Sequence, residues 1–95
     1  MEINEFQRLM KTLYGKRDKK RGPYLTTLWL MSELGELAEA VRIGKGIEEE
    51  LADVFAWLAS LANILEIDLE QAALTKYQSM CPRCKSAPCE CIFED

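Results

Sequence analysis

The chain has 95 residues, a net charge of −4 with 16 acidic against 12 basic side chains, 48% apolar and 29% charged residues. Such a balance is that of one globular unit and excludes a disordered chain. It also excludes a protein held by bulk charge on a nucleic-acid polymer, which needs clustered Lys and Arg to displace counterions.

No apolar run reaches the roughly 18 residues of a bilayer span, so no membrane partner is expected. Met1 to Glu5 lack the basic-then-apolar order of a secretion signal, and a soluble, cytoplasmic protein is expected. One core of this size buries too little surface to be comfortable alone, which predicts oligomerisation or a metal staple.

Apolar residues at Ile3, Phe6, Leu9, Met10 and Leu13 predict a first helix over 3–14, ended by Gly15 and followed by a charged loop to Gly22 and Pro23. Leu30, Leu34, Leu37 and Val41 form the stripe of a second helix that stops at Gly44 and Gly46. A third opens on Glu48, Glu49 and Glu50, acids suited to the positive end of the helix dipole. Its Leu51, Val54, Phe55, Leu58, Leu61 and Leu65 point toward a core, while Ala52, Ala56 and Ala59 form a small back face. Apolar on one side and small on the other, this helix should be central and able to touch a second subunit. Asp68, with Gln71 three residues on, reads as the N-cap of a fourth helix over 69–78. No stretch alternates as a strand does, so the fold class is all-α: a four-helix bundle over 1–79 with a Cys-rich tail over 80–95.

At 100° per residue, Trp29, Glu33, Glu36 and Ala40 share one strip of the second helix, beside its apolar stripe. Glu50, Asp53 and Trp57 share a strip of the third. The short glycine connection makes these helices antiparallel neighbours, so the two acidic pairs face each other. Four converging carboxylates repel one another unless a cation sits among them, because a buried unpaired charge costs on the order of several kcal/mol. Oxygen-only donors favour Mg²⁺ or Mn²⁺, and Mg²⁺ so held keeps positions open for water and substrate phosphate. A di-iron bundle would need Glu-x-x-His, and the chain has no histidine.

The run Ser32-Glu33-Leu34-Gly35-Glu36-Leu37-Ala38-Glu39-Ala40, then Glu49-Glu50-Leu51-Ala52-Asp53-Val54, Ile67-Asp68-Leu69 and Lys76, resembles the MazG-type nucleotide pyrophosphohydrolases over roughly 25–77. The resemblance implies an all-α dimer or tetramer that hydrolyses nucleoside triphosphates to the monophosphate and pyrophosphate with Mg²⁺. It implies Glu33, Glu36, Glu50 and Asp53 as metal ligands and a phosphate-binding lysine at Lys76. The chain departs from the pattern where Tyr77, Gln78, Ser79 and Met80 follow Lys76, since family members often carry an Asn there.

Cleavage between the α- and β-phosphates needs an activated water and a clamp on the phosphate chain, and either Glu33 or Glu36 is a reasonable general base. Arg17 and Arg21 are further candidates for phosphate contact. Trp57 is placed to stack on a base beside the metal. Asn63 can read a base edge across a subunit boundary or simply bond another helix.

In the tail, Cys81, Cys84, Cys89 and Cys91 pair C-x₂-C with C-x-C, a set able to wrap a structural Zn²⁺. The alternative is a reduced or partly disulfide-linked tail. An alternative function from another class is a non-catalytic helical interaction module with a zinc tail, whose acids merely solvate their helices.

Overall fold

The structure, a computed structural model, describes residues 1–92; 93–95 of the expected tail lie outside the described residues. Among the described residues it is all-helical: α1 (Ile3–Arg21), α2 (Pro23–Ile43), α3 (Ile47–Ile64) and α4 (Leu69–Lys76). No helix is long and apolar enough to cross a membrane among those residues.

The first helix corrects the expected loop over 15–23. α1 continues through Gly15 to Arg21 and gives way to α2 at Gly22 alone. Gly15 would tolerate a Cβ at an ordinary 3.5 Å from Lys11, so nothing stops the helix there. Lys19, Lys20 and Arg21 fall in its last turn, where cations stabilise the negative end of the dipole. Buried Asp18 bonds Arg21 one turn on, and Arg21 Nε donates to Thr26 Oγ1 at 2.9 Å. Thr26 Oγ1 donates in turn to Gly22 O at 2.7 Å. The chain then reverses at Gly22, whose φ of 86° favours glycine, and Pro23 opens α2 with its φ already set.

The second turn is as the glycines predict. Gly44 and Gly46 both have positive φ, and the N–H groups of Gly44 and Lys45 return to Ala40 O at 2.9 and 3.1 Å. α3 lies between α1 and α2, and α4 packs on α1. Asp68 caps α4 by accepting from Gln71 N–H at 2.9 Å. Tyr77 is extended, so α4 stops at Lys76, two residues short of the expected end at 78.

Packing departs from the leucine stripes. Among the apolar side chains of the described residues, Met10, Ala40, Ala59 and Ala62 are the buried ones. On α2 the buried positions Thr26 and Ala40 share a seven-residue register with half-buried Glu33, so an acid stands on the face turned to α3. Leu34 and Val41 are displaced to the flank. Leu51, Leu58 and Leu65, expected toward a core, repeat every seven residues and stay 37–53% exposed. The reason is that α1 takes the opposite side of α3, stacking Phe6 on Phe55 at 4.7 Å, while α2 takes the acidic side.

Buried Gln7 ties three elements together. Its Nε2 donates to Ile67 O at 2.7 Å, its Oε1 accepts from Leu69 N–H at 3.0 Å, and its backbone O accepts from Asn63 Nδ2 at 3.0 Å. Replacing Gln7 by Ala strands the Ile67 carbonyl and the Leu69 amide and should cost about 1–3 kcal/mol. Urea unfolding of Gln7→Ala checks this; a midpoint equal to wild type would refute the role.

Candidate metal centre and adjoining pocket

Glu33 on α2 meets Glu50 and Asp53 on α3, with one carboxylate oxygen from each within 4.8 Å of the others. Glu36, one turn from Glu33, is exposed and acts on Glu33 and Glu50 through its charge. The structure thus brings together three of the four expected carboxylates, Glu33, Glu50 and Asp53, and leaves Glu36 outside that group.

Glu33 Oε2 and Glu50 Oε2 are both shielded from solvent, and neither has a hydrogen-bond partner. Native structures rarely leave such oxygens unpaired. Loss of solvent, the bond from Glu36 and the charges of Glu36, Asp53 and Glu50 push the Glu33 carboxyl above its ordinary value. Loss of solvent and then the charges of Glu36, Asp53 and Glu49 do the same to Glu50. Unsatisfied oxygens and mutual repulsion are what a bound divalent cation would relieve, and a set of hard oxygen donors fits Mg²⁺ or Mn²⁺.

Beside this cluster Trp29 and Trp57 stack across α2 and α3 at 5.9 Å and 16°. The Arg21 guanidinium lies over the Trp57 ring at 4.7 Å from its centre. A cavity of about 270 Å³ opens here, lined by Tyr14, Arg17, Asp18, Arg21, Trp57 and Ser60. Arg17 and Arg21 thus come from a helix, not from the loop expected of them, and stand on one wall with Trp57. Ligand pockets usually run to roughly 300–1,000 Å³, so this space lies just under the usual size.

Asp18, Tyr14 and Ser60 were not legible as pocket residues. A signal for Asp18 was present, since it is the one acid interrupting the basic stretch Lys16–Arg21. Its Oδ1 takes Arg21, while Oδ2 is buried without a partner.

Two expected residues lie elsewhere. Asn63 bonds Gln7 across α1 and α3 and borders cavities on that side, the helix-bonding option of its two readings. Lys76 lines a separate cavity with Arg83 and the cysteine tail. There Cys81, Cys84, Cys89 and Cys91 are all free, and their sulfurs form one cluster within 4.8 Å. Backbone N–H groups of Glu90 and Ser86 bring the Cys84 thiol down to about 6. Cys91 is pushed up to about 12, chiefly by its bond with Cys89 and by loss of solvent. The cluster could hold a metal ion.

Without a divalent cation, Glu33 and Glu50 bind protons more tightly folded than unfolded. Their contribution to stability is then present below the ordinary glutamate value of 4.5 and lost as pH rises through the raised folded values. Mg²⁺ binds the deprotonated form, so the rise in Tm it produces should grow with pH across that window. Melting curves with Mg²⁺ and with chelator, taken through the mildly acidic range, check this; a difference independent of pH would refute it.

A family model described as the MazG nucleotide pyrophosphohydrolase domain matches residues 21–85. The chain is also similar to the uncharacterized protein YvdC of Bacillus subtilis (strain 168), 29% identical over 106 aligned positions covering 92% of this chain and 100% of that protein.

Proposed function

The chain belongs to the MazG nucleotide pyrophosphohydrolase family, and we propose that it hydrolyses nucleoside triphosphates to the monophosphate and pyrophosphate with Mg²⁺, Mn²⁺ being able to substitute. The observation that carries this reading is the pair of buried, unpartnered oxygens on Glu33 and Glu50 within the carboxylate group. Glu33, Glu36, Glu50 and Asp53 would hold the cation. When bound, the cation neutralises phosphate charge and lowers the pKa of water.

The remaining work falls to side chains. Glu33 or Glu36 takes the proton of the attacking water; the raised proton affinity of Glu33 suits a base that must also release it. The cavity beside Trp57 receives the nucleoside, with Arg17 toward its phosphates, while a phosphate role for Arg21 would require it to leave Asp18 and Thr26. Lys76 is assigned to the phosphate chain on the family pattern alone, since it lines the cavity beside the cysteines. Asn63 serves packing first, and a base-reading role would require it to leave Gln7.

The helical unit 1–79 carries the reaction, and 80–95 is a separate module whose thiols take a structural Zn²⁺. A cytoplasmic homodimer or homotetramer accords with the leucine stripe left open on α3. Sedimentation should give a dimer or larger for wild type and a smaller species for Leu58→Glu, with helix content retained; a monomeric wild type would refute the assembly.

The main test is Mg²⁺-dependent pyrophosphate release from a panel of canonical and modified nucleoside triphosphates. Glu50→Gln and Asp53→Asn should each lower kcat/KM by on the order of 100-fold while leaving the circular dichroism unchanged. Release from no substrate would overturn the hydrolase and favour the helical interaction module.

A further inference from the structure

The segment after α4 has neither helix nor strand from Tyr77 to Ile92 among the described residues, and its larger apolar side chains, Met80 and Ile92, are exposed. No apolar core holds it together. Its centre is instead four sulfurs. A tetrahedral Zn²⁺ with Zn–S bonds of about 2.3 Å sets its sulfurs about 3.8 Å apart. Cys81 and Cys91 stand at 3.7 Å, Cys84 and Cys89 at 3.9 Å, and all four within 4.8 Å. We infer that Cys81, Cys84, Cys89 and Cys91 bind one Zn²⁺ as a closed four-thiolate site, and that this ion is what folds the segment from Tyr77 to Ile92.

Three further features point the same way. Backbone bonds shape the first arm as a tight turn: Lys85 N–H donates to Cys81 O at 2.8 Å, and Cys81 N–H to Ser86 O at 2.9 Å. Backbone N–H groups point at sulfur, from Glu90 to Cys84 and from Cys91 to Cys89, each at 3.3 Å. Such donors reward a sulfur that carries negative charge, which a metal-bound thiolate does. The cavity walled by Cys81, Cys89 and Cys91 also carries Lys76 and Arg83, two cations that offset the net double negative charge of Zn²⁺ with four thiolates.

Four protein ligands leave no position for water, so the ion is structural and its binding energy is folding energy for the segment. The site shares no ligand with the carboxylate cluster and does not rest on the hydrolase reading.

The test uses the full chain purified from zinc-supplemented medium and dialysed against Mg²⁺. One zinc per chain is expected, with all four thiols shielded from alkylation until a strong chelator is added. Cobalt exchanged into the site should give the sulfur-to-metal absorption and visible bands of a tetrahedral thiolate centre. Cys84→Ser should lose most of the zinc, and Cys89→His, which keeps a competent donor, should retain it. Zinc removal should speed tryptic cutting after Arg83 and Lys85 at least several-fold without melting α1–α3. Zinc-free protein with four reactive thiols, two disulfides, or an octahedral cobalt spectrum would each overturn the proposal.

Discussion

The charge on the α2–α3 contact governs the rest of the molecule. Glu33 occupies a place in the seven-residue register of Thr26 and Ala40 where a bundle would ordinarily put an apolar side chain, and Glu50 answers it from α3. Two helices that meet through carboxylates gain nothing from that contact by themselves, since desolvation and like charge both oppose it. They are held in register by their neighbours: the glycine turn that makes them antiparallel, the Trp29–Trp57 stack, and the docking of α3 on α1. The acids are thereby kept close without being relaxed.

This arrangement uses up two sides of α3 and leaves a third. The small side bearing Ala59 goes to α1, and the acidic side goes to α2. Leu51, Leu58 and Leu65 are left over, and so are Leu34 and Val41 on the flank of α2. With Met10 and three alanines as the buried apolar side chains among the described residues, the core is thin for its length. The same constraint therefore explains both the acids inside and the leucines outside: carboxylates have displaced apolar side chains from the best-packed face.

Much of this was readable in the sequence. Helical periodicity gave the element order, the glycines around Lys45 gave the antiparallel turn, and the two E-x-x-[ED] pairs gave the carboxylate cluster of Glu33, Glu50 and Asp53, because each rests on local spacing. What escaped depended on tertiary partners. Gly15 looked like a stop, yet the end of α1 is set by Asp18, Arg21 and Thr26 acting across the junction at Gly22. The leucine stripes looked like core because periodicity identifies an apolar face without saying what covers it. Asn63 was open between two readings, and its partner Gln7 lies 56 positions away, beyond the reach of any local pattern.

The chain also separates its donors by hardness. Carboxylate oxygens lie together between α2 and α3, and sulfurs lie together after α4. First-row metals bind most nitrogen, oxygen and sulfur sites in the same general order, so affinity alone would let Zn²⁺ compete for the carboxylates as well. A four-sulfur site answers this by donor type, since thiolates prefer Zn²⁺ and are poor ligands for Mg²⁺. The carboxylate cluster, with Asp53 and Glu36 exposed, keeps an open side that a Mg²⁺ retaining its waters can use and that a closed site would forbid. On the proposed assignments one ion works at an open site and the other is locked in a closed one. The division follows from which side chains each stretch supplies, without any need for the two sites to differ in strength.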